Sequence, residues 1–455
     1  MLAVGLMPSL AYAGQAGSDA AAVAESGDVA LAASGYMQDW TACGTCEWSI
    51  DADGNLVVRP ANGASEGTLD GWPYGSQAPW WLSQASKAIK TARFDGTVHA
   101  LTASGMFYKC TSLKSVDLSG LDTSGVKDLG GMFFWCSSLI SVDLSGLDIS
   151  SATSTEGMFY GCSSLKSVDL SDLDNSNMNW MDDMFCGCSS LRLVSLGEKF
   201  NFCGLLNEDC LRGLPTPSGD GLTGKWVSSA DGKAYAADEI PSNVAATYVA
   251  EGVATFPDVD YSQWYGSGVL FCSENGLITG YGSGDKVGQF GVGDTLTRAQ
   301  LAVILWRNAE PEAAAAYDGT AGNGTGMSDV ASGDYYTAAA NWAVSEEVIN
   351  GSDDADGRHF NPDKPVTMEQ LATILANYAD KTGAESADLS ALSSFTDQGS
   401  ISSWARGSVA WAKQKGLVSG YDNHNGTRTL NPQENVARER VATVLANAFE
   451  SGTLE

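Results

Sequence analysis

Between residues 100 and 200 the apolar positions recur every 26 residues. Met106-Phe107, Met132-Phe133, Met158-Phe159 and Met184-Phe185 align, and a cysteine follows each methionine four residues on, at Cys110, Cys136, Cys162 and Cys188. Each unit continues through Leu113, Leu139, Leu165 or Leu191. It then reaches Val-Asp-Leu-Ser at Val116 to Ser119, Val142 to Ser145 and Val168 to Ser171, with Val194-Ser195-Leu196-Gly197 closing the series. In a short strand the Leu and Val positions point one way and Asp117, Asp143 and Asp169 the other. One unit cannot bury its apolar side alone, so the pattern predicts stacking, with inner ladders of Met, Phe, Cys, Leu and Val. Upstream, Trp48 to Val58 sets an Asp-Gly turn between apolar runs and predicts a hairpin. Downstream, Lys225-Trp226-Val227 and Ala246-Thr247-Tyr248-Val249 predict a small β cap.

A second period, of about 70 residues, occupies the rest of the chain. Phe256-Pro257-Asp258-Val259, Met327-Ser328-Asp329-Val330 and Phe395-Thr396-Asp397 open three modules; Trp264, Tyr335 and Trp404 follow, and sixteen residues after each comes Gly280, Gly351 or Gly420. The modules continue to Thr297-Arg298-Ala299-Gln300, Thr367-Met368-Glu369-Gln370 and Ala437-Arg438-Glu439-Arg440. Thr297 with Gln300, and Thr367 with Gln370, have capping-box spacing, so a helix is expected to start at each segment. Each module therefore reads as helix, glycine-containing loop, helix. Asp258, Asp329 and Asp397 read most simply as helix N-caps.

The 26-residue units resemble BspA-like leucine-rich-repeat surface proteins, which implies an extracellular unit for adhesion or protein recognition. The F-x-D-V opening, the Trp-to-Gly stretch and the TRAQ or ARER segment resemble the S-layer homology domain in three tandem copies. That likeness implies grooves between copies that bind secondary cell-wall polysaccharide carrying pyruvate ketals. Together they imply an α+β multidomain chain: a leucine-rich-repeat-type β solenoid with small β caps, then an all-α pseudo-threefold trimer of S-layer homology modules. The expected segments are a truncated signal peptide at 1–13, an Ala/Gly/Ser linker at 14–37, a hairpin cap at 38–90 and repeats at 91–200. A β cap and linker at 201–251 then precede modules at 252–312, 327–380 and 395–451.

A ketal carboxylate calls for a planar, permanently charged fork and an aromatic wall. Arg298 and Arg438 match the family's helix-start arginine, and a helix N-terminus favours an anion. Trp264, Tyr335 and Trp404 read equally as groove walls or as anchors of the first helix. Gly280, Gly351 and Gly420 would let backbone approach a sugar or would end a helix. Met368 stands where an arginine is expected, so that groove is expected to be weak or silent, and Glu347 replaces the glycine found at Gly276 and Gly416.

The ladder cysteines read as buried apolar side chains. Cys43 and Cys46 read as a small disulfide or a free pair, Cys203 and Cys210 as a cap disulfide, and Cys186 and Cys272 have no evident partner. No metal site or cofactor is expected; Ser352, Asp354, Asp356 and Asp363 only echo a calcium loop, and a GxSxG at Gly63–Gly67 lacks the strand-turn-helix context of a nucleophile.

Composition narrows the partners. With 25 Lys and Arg against 55 Asp and Glu, the formal charge is -30, which disfavours nucleic acid and anionic membranes. Leu2 to Leu10 followed by Ala11-Tyr12-Ala13 reads as a secretory leader cut after Ala13, and the lack of any Lys or Arg before Arg59 suggests that Met1 is not the original start. The resulting expectation is a secreted, non-enzymatic protein on a Gram-positive-type wall, binding pyruvylated polysaccharide and an unidentified host or bacterial protein. The alternatives are a wall-anchored polysaccharide hydrolase and a structural lattice protein.

Overall fold

The computed structural model describes residues 40–72, 78–82, 85–144, 147–178, 180–202, 213–282, 284–354, 357–423 and 427–454. The expected leader, the linker, and Cys203 and Cys210 lie outside the described residues.

The N-terminal half begins with the antiparallel strands β1 (Thr41–Cys43), β2 (Cys46–Ile50) and β3 (Asn55–Pro60). Their Asp-Gly hairpin forms as expected, with Ile50 opposite Leu56 and Gly54 at φ 87°. Next come β4 (Glu66–Thr68), the single-turn helix α1 (Pro79–Leu82), β5 (Thr91–Phe94), β6 (Thr97–His99), β7 (Ser115–Asp117), β8 (Leu121–Asp122), β9 (Ser141–Val142), β10 (Ser167–Leu170) and β11 (Leu193–Leu196). Strands β12 (Trp226–Ser228), β13 (Ala234–Tyr235) and β14 (Ala246–Ala250) end this half, and β14 runs antiparallel to β11 as a cap.

The repeat stacks in register. Val168 pairs with both Val142 and Val194, each 26 residues away. The Phe107, Phe133, Phe159 and Phe185 rings stack at 5.5, 5.5 and 5.7 Å. Three of the four ladder thiols donate to a phenylalanine carbonyl of the preceding unit: Cys136 to Phe107, Cys162 to Phe133 and Cys188 to Phe159, all at 3.1 Å. All four are buried free thiols. For Cys136, Cys162 and Cys188 a backbone carbonyl therefore satisfies the S–H that would otherwise be buried unpaired.

The expected fold class is corrected on two points. The repeat strands do not close into one solenoid. They divide among a five-stranded sheet (β1-β2-β3-β5-β7), a three-stranded sheet (β4-β6-β8) and a six-stranded sheet (β13-β12-β14-β11-β10-β9). Two- to four-residue strands are too short to carry a continuous sheet through every coil, so tight turns join much of the stack instead. Nor is the C-terminal half all-α. It contains α2 (Gly266–Glu274), α3 (Arg298–Ala309), α4 (Pro311–Ala315), α5 (Thr337–Ser345), the hairpin β15 (Ser352–Asp354) and β16 (Gly357–His359), and α6 (Met368–Glu385). After these come α7 (Arg406–Gln414), the hairpin β17 (Tyr421–Asp422) and β18 (Arg428–Thr429), and α8 (Arg438–Glu450). Single bridges join Thr295 to Ala437, Thr297 to Pro365 and Thr367 to Asn435, so each module touches both others through extended backbone.

Each half has its own hydrophobic core, and Leu193 of β11 packs into that of the C-terminal half. Between them the Ser141 hydroxyl donates to Glu450 at 2.6 Å, and Lys166 meets Glu274 at 3.7 Å. Among the described residues no helix is long and apolar enough to cross a membrane.

Helices α2 and α7 are followed by Gly276 and Gly416 at φ 67° and 73°; after α5 the same left-handed position holds Glu347 at φ 56°. A side chain there costs about 1–2 kcal/mol. Glu347→Gly is expected to raise the unfolding free energy by about 1 kcal/mol, net of the extra freedom glycine has when unfolded. Paired denaturant titrations check this, and an unchanged or lower midpoint would show that the glutamate's contacts outweigh the backbone strain.

Candidate functional site

The module-opening aspartates act at long range. Asp258 accepts backbone N–H groups from Phe290, Gly291 and Val292 at 2.7–3.2 Å; Asp329 accepts those of Phe360 and Asn361, and Asp397 those of Leu430 and Asn431. They are not the helix N-caps that the sequence suggested: each clamps the loop 31 to 34 residues on, just ahead of the second helix. Partial burial works against the charge on Asp258 and Asp329, but the backbone donors outweigh it and hold both carboxyls below their usual range.

The clamped loops receive side chains from the neighbouring module. The capping boxes form, with Thr297 Oγ1 accepting from the Gln300 N–H at 3.3 Å and Thr367 Oγ1 from the Gln370 N–H at 3.4 Å. Arg298 then reaches from the first module into the second, where its Nε donates to the Phe360 carbonyl at 2.7 Å. Arg438 reaches from the third into the first, donating to the Phe290 carbonyl at 2.8 Å, with its guanidinium 4.7 Å from the Tyr281 ring centroid and 5.4 Å from that of Phe290. Burial pushes both guanidinium pKa values down, and nearby Asp329 for Arg298, or Tyr281 and Asp294 for Arg438, push back. At the remaining junction Met368 is buried and Glu369 supplies the tie, accepting from the Ser402 N–H at 3.0 Å and the Ser402 hydroxyl at 2.9 Å.

Trp264, Tyr335 and Trp404 are 53, 60 and 57 % exposed, so they are surface rings and do not anchor the core. Tyr335 of the second module lies beside Thr297 of the first. Gly280, Gly351 and Gly420 all have φ near 75°, and their faces are filled by the chain itself. A Cβ on Gly280 would come within 2.6 Å of the Phe256 ring, and one on Gly420 within 2.8 Å of the Phe395 ring. Each glycine thus seats the loop on its module's opening side chain.

A cleft of about 440 Å³ lies against the start of α3, lined by Tyr281, Lys286, Asp294, Thr297 and Gln300 among others. Lys286 pairs with Asp294 at 2.6 Å and the Tyr281 hydroxyl donates to the same carboxylate at 3.0 Å. Sequence reasoning missed Tyr281, Lys286 and Asp294, and also Arg440 and Tyr421 at the third junction, where the Arg440 guanidinium lies 4.4 Å from the Trp264 ring centroid and 4.2 Å from that of Tyr421. One signal was available: Tyr281 and Tyr421 directly follow Gly280 and Gly420, whereas Ser352 follows Gly351. A second cleft, of about 400 Å³, separates β14 from the first module and holds none of the expected residues.

Cys43 and Cys46 are free thiols opposite each other on β1 and β2, so the small disulfide is not formed, and burial raises both pKa values. Cys186, for which the sequence offers no evident partner, is disulfide-bonded. Among the described residues no group of three His, Cys, Asp or Glu is arranged to hold a metal ion.

Residues 255–302, 326–372 and 394–439 each match the S-layer homology domain. The chain carries three S-layer homology domains. Residues 94–197 match a family described as Mycoplasma protein of unknown function, DUF285, so the BspA-like assignment of the repeats is not what the match gives. Relatives of the chain include an amylopullulanase of Thermoanaerobacterium thermosulfurigenes, 30 % identical over 165 residues (36 % of this chain, 8 % of that protein). They also include Exoglucanase XynX of Acetivibrio thermocellus, 31 % identical over 135 residues (29 % and 11 %). The Surface-layer 125 kDa protein of Lysinibacillus sphaericus is 26 % identical over 168 residues (37 % and 13 %). The chain therefore spans a small fraction of these relatives' length. The S-layer homology domains indicate a cell-surface, wall-associated protein.

Proposed function

We propose that the chain is secreted and held non-covalently on a pyruvylated secondary cell-wall polysaccharide by its three C-terminal modules, with the N-terminal repeats displayed for adhesion or protein recognition. The observation that carries this reading is the placement of an exposed aromatic residue at the same point of every module, Trp264, Tyr335 and Trp404. An open ring on a rigid helix start is what a sugar face needs, and the inter-module arginines Arg298 and Arg438 bring fixed positive charge to two of the three junctions. Met368 leaves the third junction without that charge, so two competent grooves are proposed. Gly280, Gly351 and Gly420 support those grooves by seating their loops.

The reading assigns no catalytic role. Asp117 and Asp169 accept the N–H groups of Ser119 and Ser171 within their own turns, which is turn chemistry repeated at equal spacing. The partner of the repeats is an unidentified protein. Full-length chain should sediment with wall sacculi and lose that association once the secondary polymer is chemically stripped; equal sedimentation with stripped sacculi would sink the anchor reading. Trp264→Ala should weaken binding several-fold, up to about tenfold, without lowering the denaturation midpoint.

A further inference from the structure

The repeat half carries a second ladder outside its core. After the inner phenylalanine of the first three units comes Tyr108, Phe134 or Tyr160, and these half-buried rings stack at 5.2 Å and 16°, then at 4.7 Å and 8°. Trp81 closes one end, edge-on to Tyr108 at 6.2 Å. The residue following each ring is left-handed: Lys109 at φ 56°, Trp135 at 58° and Gly161 at 74°, as is Gly187 at 79° in the last unit. That conformation suits glycine, and a bulky side chain held in it points to a function. Trp135 is such a residue. Its ring lies across the next coil, where a Cβ on Gly161 would come within 3.1 Å of it, yet the residue stays 47 % exposed. Burial therefore does not account for a tryptophan at this position.

Charge says what the face would accept. The Lys109 ammonium lies 5.0 Å from the Tyr108 ring centroid, so the first ring already holds a cation. In the next two units Trp135 and Gly161 stand where Lys109 stood, and among the described residues no Lys or Arg lies over the Tyr160 ring. The charges gathered at that end are negative. Glu156 lies four residues before Tyr160 in the same turn, and its carboxyl is pushed up by partial burial and by Asp182, Asp183 and Asp128. A cation placed there would relieve the crowded carboxylates and meet an open ring at once. The chain's own N-terminal segment is not its source, since residues 1–39 contain no Lys or Arg. A second copy would bring a net charge of -30 to an acidic face.

We propose that this outer face is the recognition surface of the repeats and takes an extended, arginine-bearing segment of a partner protein, with a guanidinium against Tyr160 and Trp135 and paired to Glu156. The proposal rests on the reading of the repeats as a protein-recognition unit and adds the place and the chemistry of the partner. Arginine fits better than lysine, because a planar guanidinium stacks on a ring while its edge donates two parallel hydrogen bonds to a carboxylate. Rings repeated from coil to coil make a strip, which suits an extended segment.

The test titrates full-length chain into a labelled peptide of alternating arginine and serine and reads fluorescence anisotropy. Copies with citrulline or glutamate in place of arginine are compared, and the parent should bind the arginine peptide alone. Trp135→Gly suits the left-handed backbone, so it should keep the denaturation midpoint while weakening binding about 3- to 30-fold. Glu156→Gln should weaken binding about threefold. Asp220→Asn, at an exposed acid between β11 and β12, should leave it unchanged. Equal losses from Glu156→Gln and Asp220→Asn, with none from Trp135→Gly, would show that net charge alone holds the peptide and would overturn the proposal. A citrulline peptide that binds as tightly as the arginine one, and is released by Trp135→Gly, would keep protein recognition by the repeats and overturn the cation. If none of the three peptides binds, the proposal fails alone, since the recognition reading specifies neither face nor charge. Release of the arginine peptide by a neutral glucan oligosaccharide would assign the rings to sugar and overturn both.

Discussion

Replacing Phe133 with alanine should lower the stability of the repeat half by about 3–5 kcal/mol. The ring is fully buried and stacks on Phe107 at 5.5 Å and 9° and on Phe159 at 5.5 Å and 2°. Truncation removes the buried surface of one ring and leaves a cavity that the stack cannot close, because the neighbouring coils are pinned by their own backbone bonds. Phe107 N–H donates to the Met132 carbonyl at 2.8 Å, and Phe133 N–H to the Met158 carbonyl at 2.9 Å. Phe134 provides the contrast. It belongs to a parallel ladder with Tyr108 at 5.2 Å and Tyr160 at 4.7 Å, but that ladder is half-buried, so Phe134→Ala should cost about 1 kcal/mol. Hydrogen exchange read on repeat peptides separates this loss from the C-terminal core. Equal loss of protection in the two variants would show that the inner ladder is not what holds the stack.

The inner ladder was legible because its period is long, unbroken and carried by residue types with few uses other than burial. Met106, Cys110, Leu113 and Val116, with their counterparts in later units, all fall in the core. The same periodicity says little about closure, since strands of two to four residues barely differ from turns in an apolar pattern. In the C-terminal half the helix starts were legible from local capping chemistry, and Thr297 and Thr367 do cap. What escaped were contacts that are local in neither sequence nor period. Asp258 looks like a cap before a helix, yet its acceptor oxygens are taken by amides 32 to 34 residues away. Arg298 and Arg438 looked like free forks, yet their Nε atoms are committed to carbonyls 62 and 148 residues away.

Glu450 gives the contact between the halves a pH dependence that an acidic residue near the end of a helix does not advertise. It is 7 % exposed, accepts from the Ser141 hydroxyl at 2.6 Å, and burial pushes its pKa from the ordinary 4.5 up to about 7. Lys166 favours the charged form, but only partly, since its ammonium also meets Glu274 at 3.7 Å and lies 4.9 Å from the Phe271 ring centroid. Cys272, fully buried on the facing helix α2, supplies no compensating charge. Between pH 4.5 and about 7 the folded chain keeps a proton that the unfolded chain has released, so stability falls as pH rises through that window and levels off above it. The shift is worth roughly 3 kcal/mol at pH 8. Glu450→Gln keeps an acceptor for Ser141 and removes the titration. The variant should therefore exceed the parent by about 3 kcal/mol at pH 8 and by almost nothing at pH 4. Denaturant titrations of both chains at the two pH values read the difference directly, cancelling the general acid-base response of a chain with charge -30. A gain that is the same at both pH values, or larger in acid, would mean that the carboxyl is ionised in the folded chain and that the junction tolerates the charge.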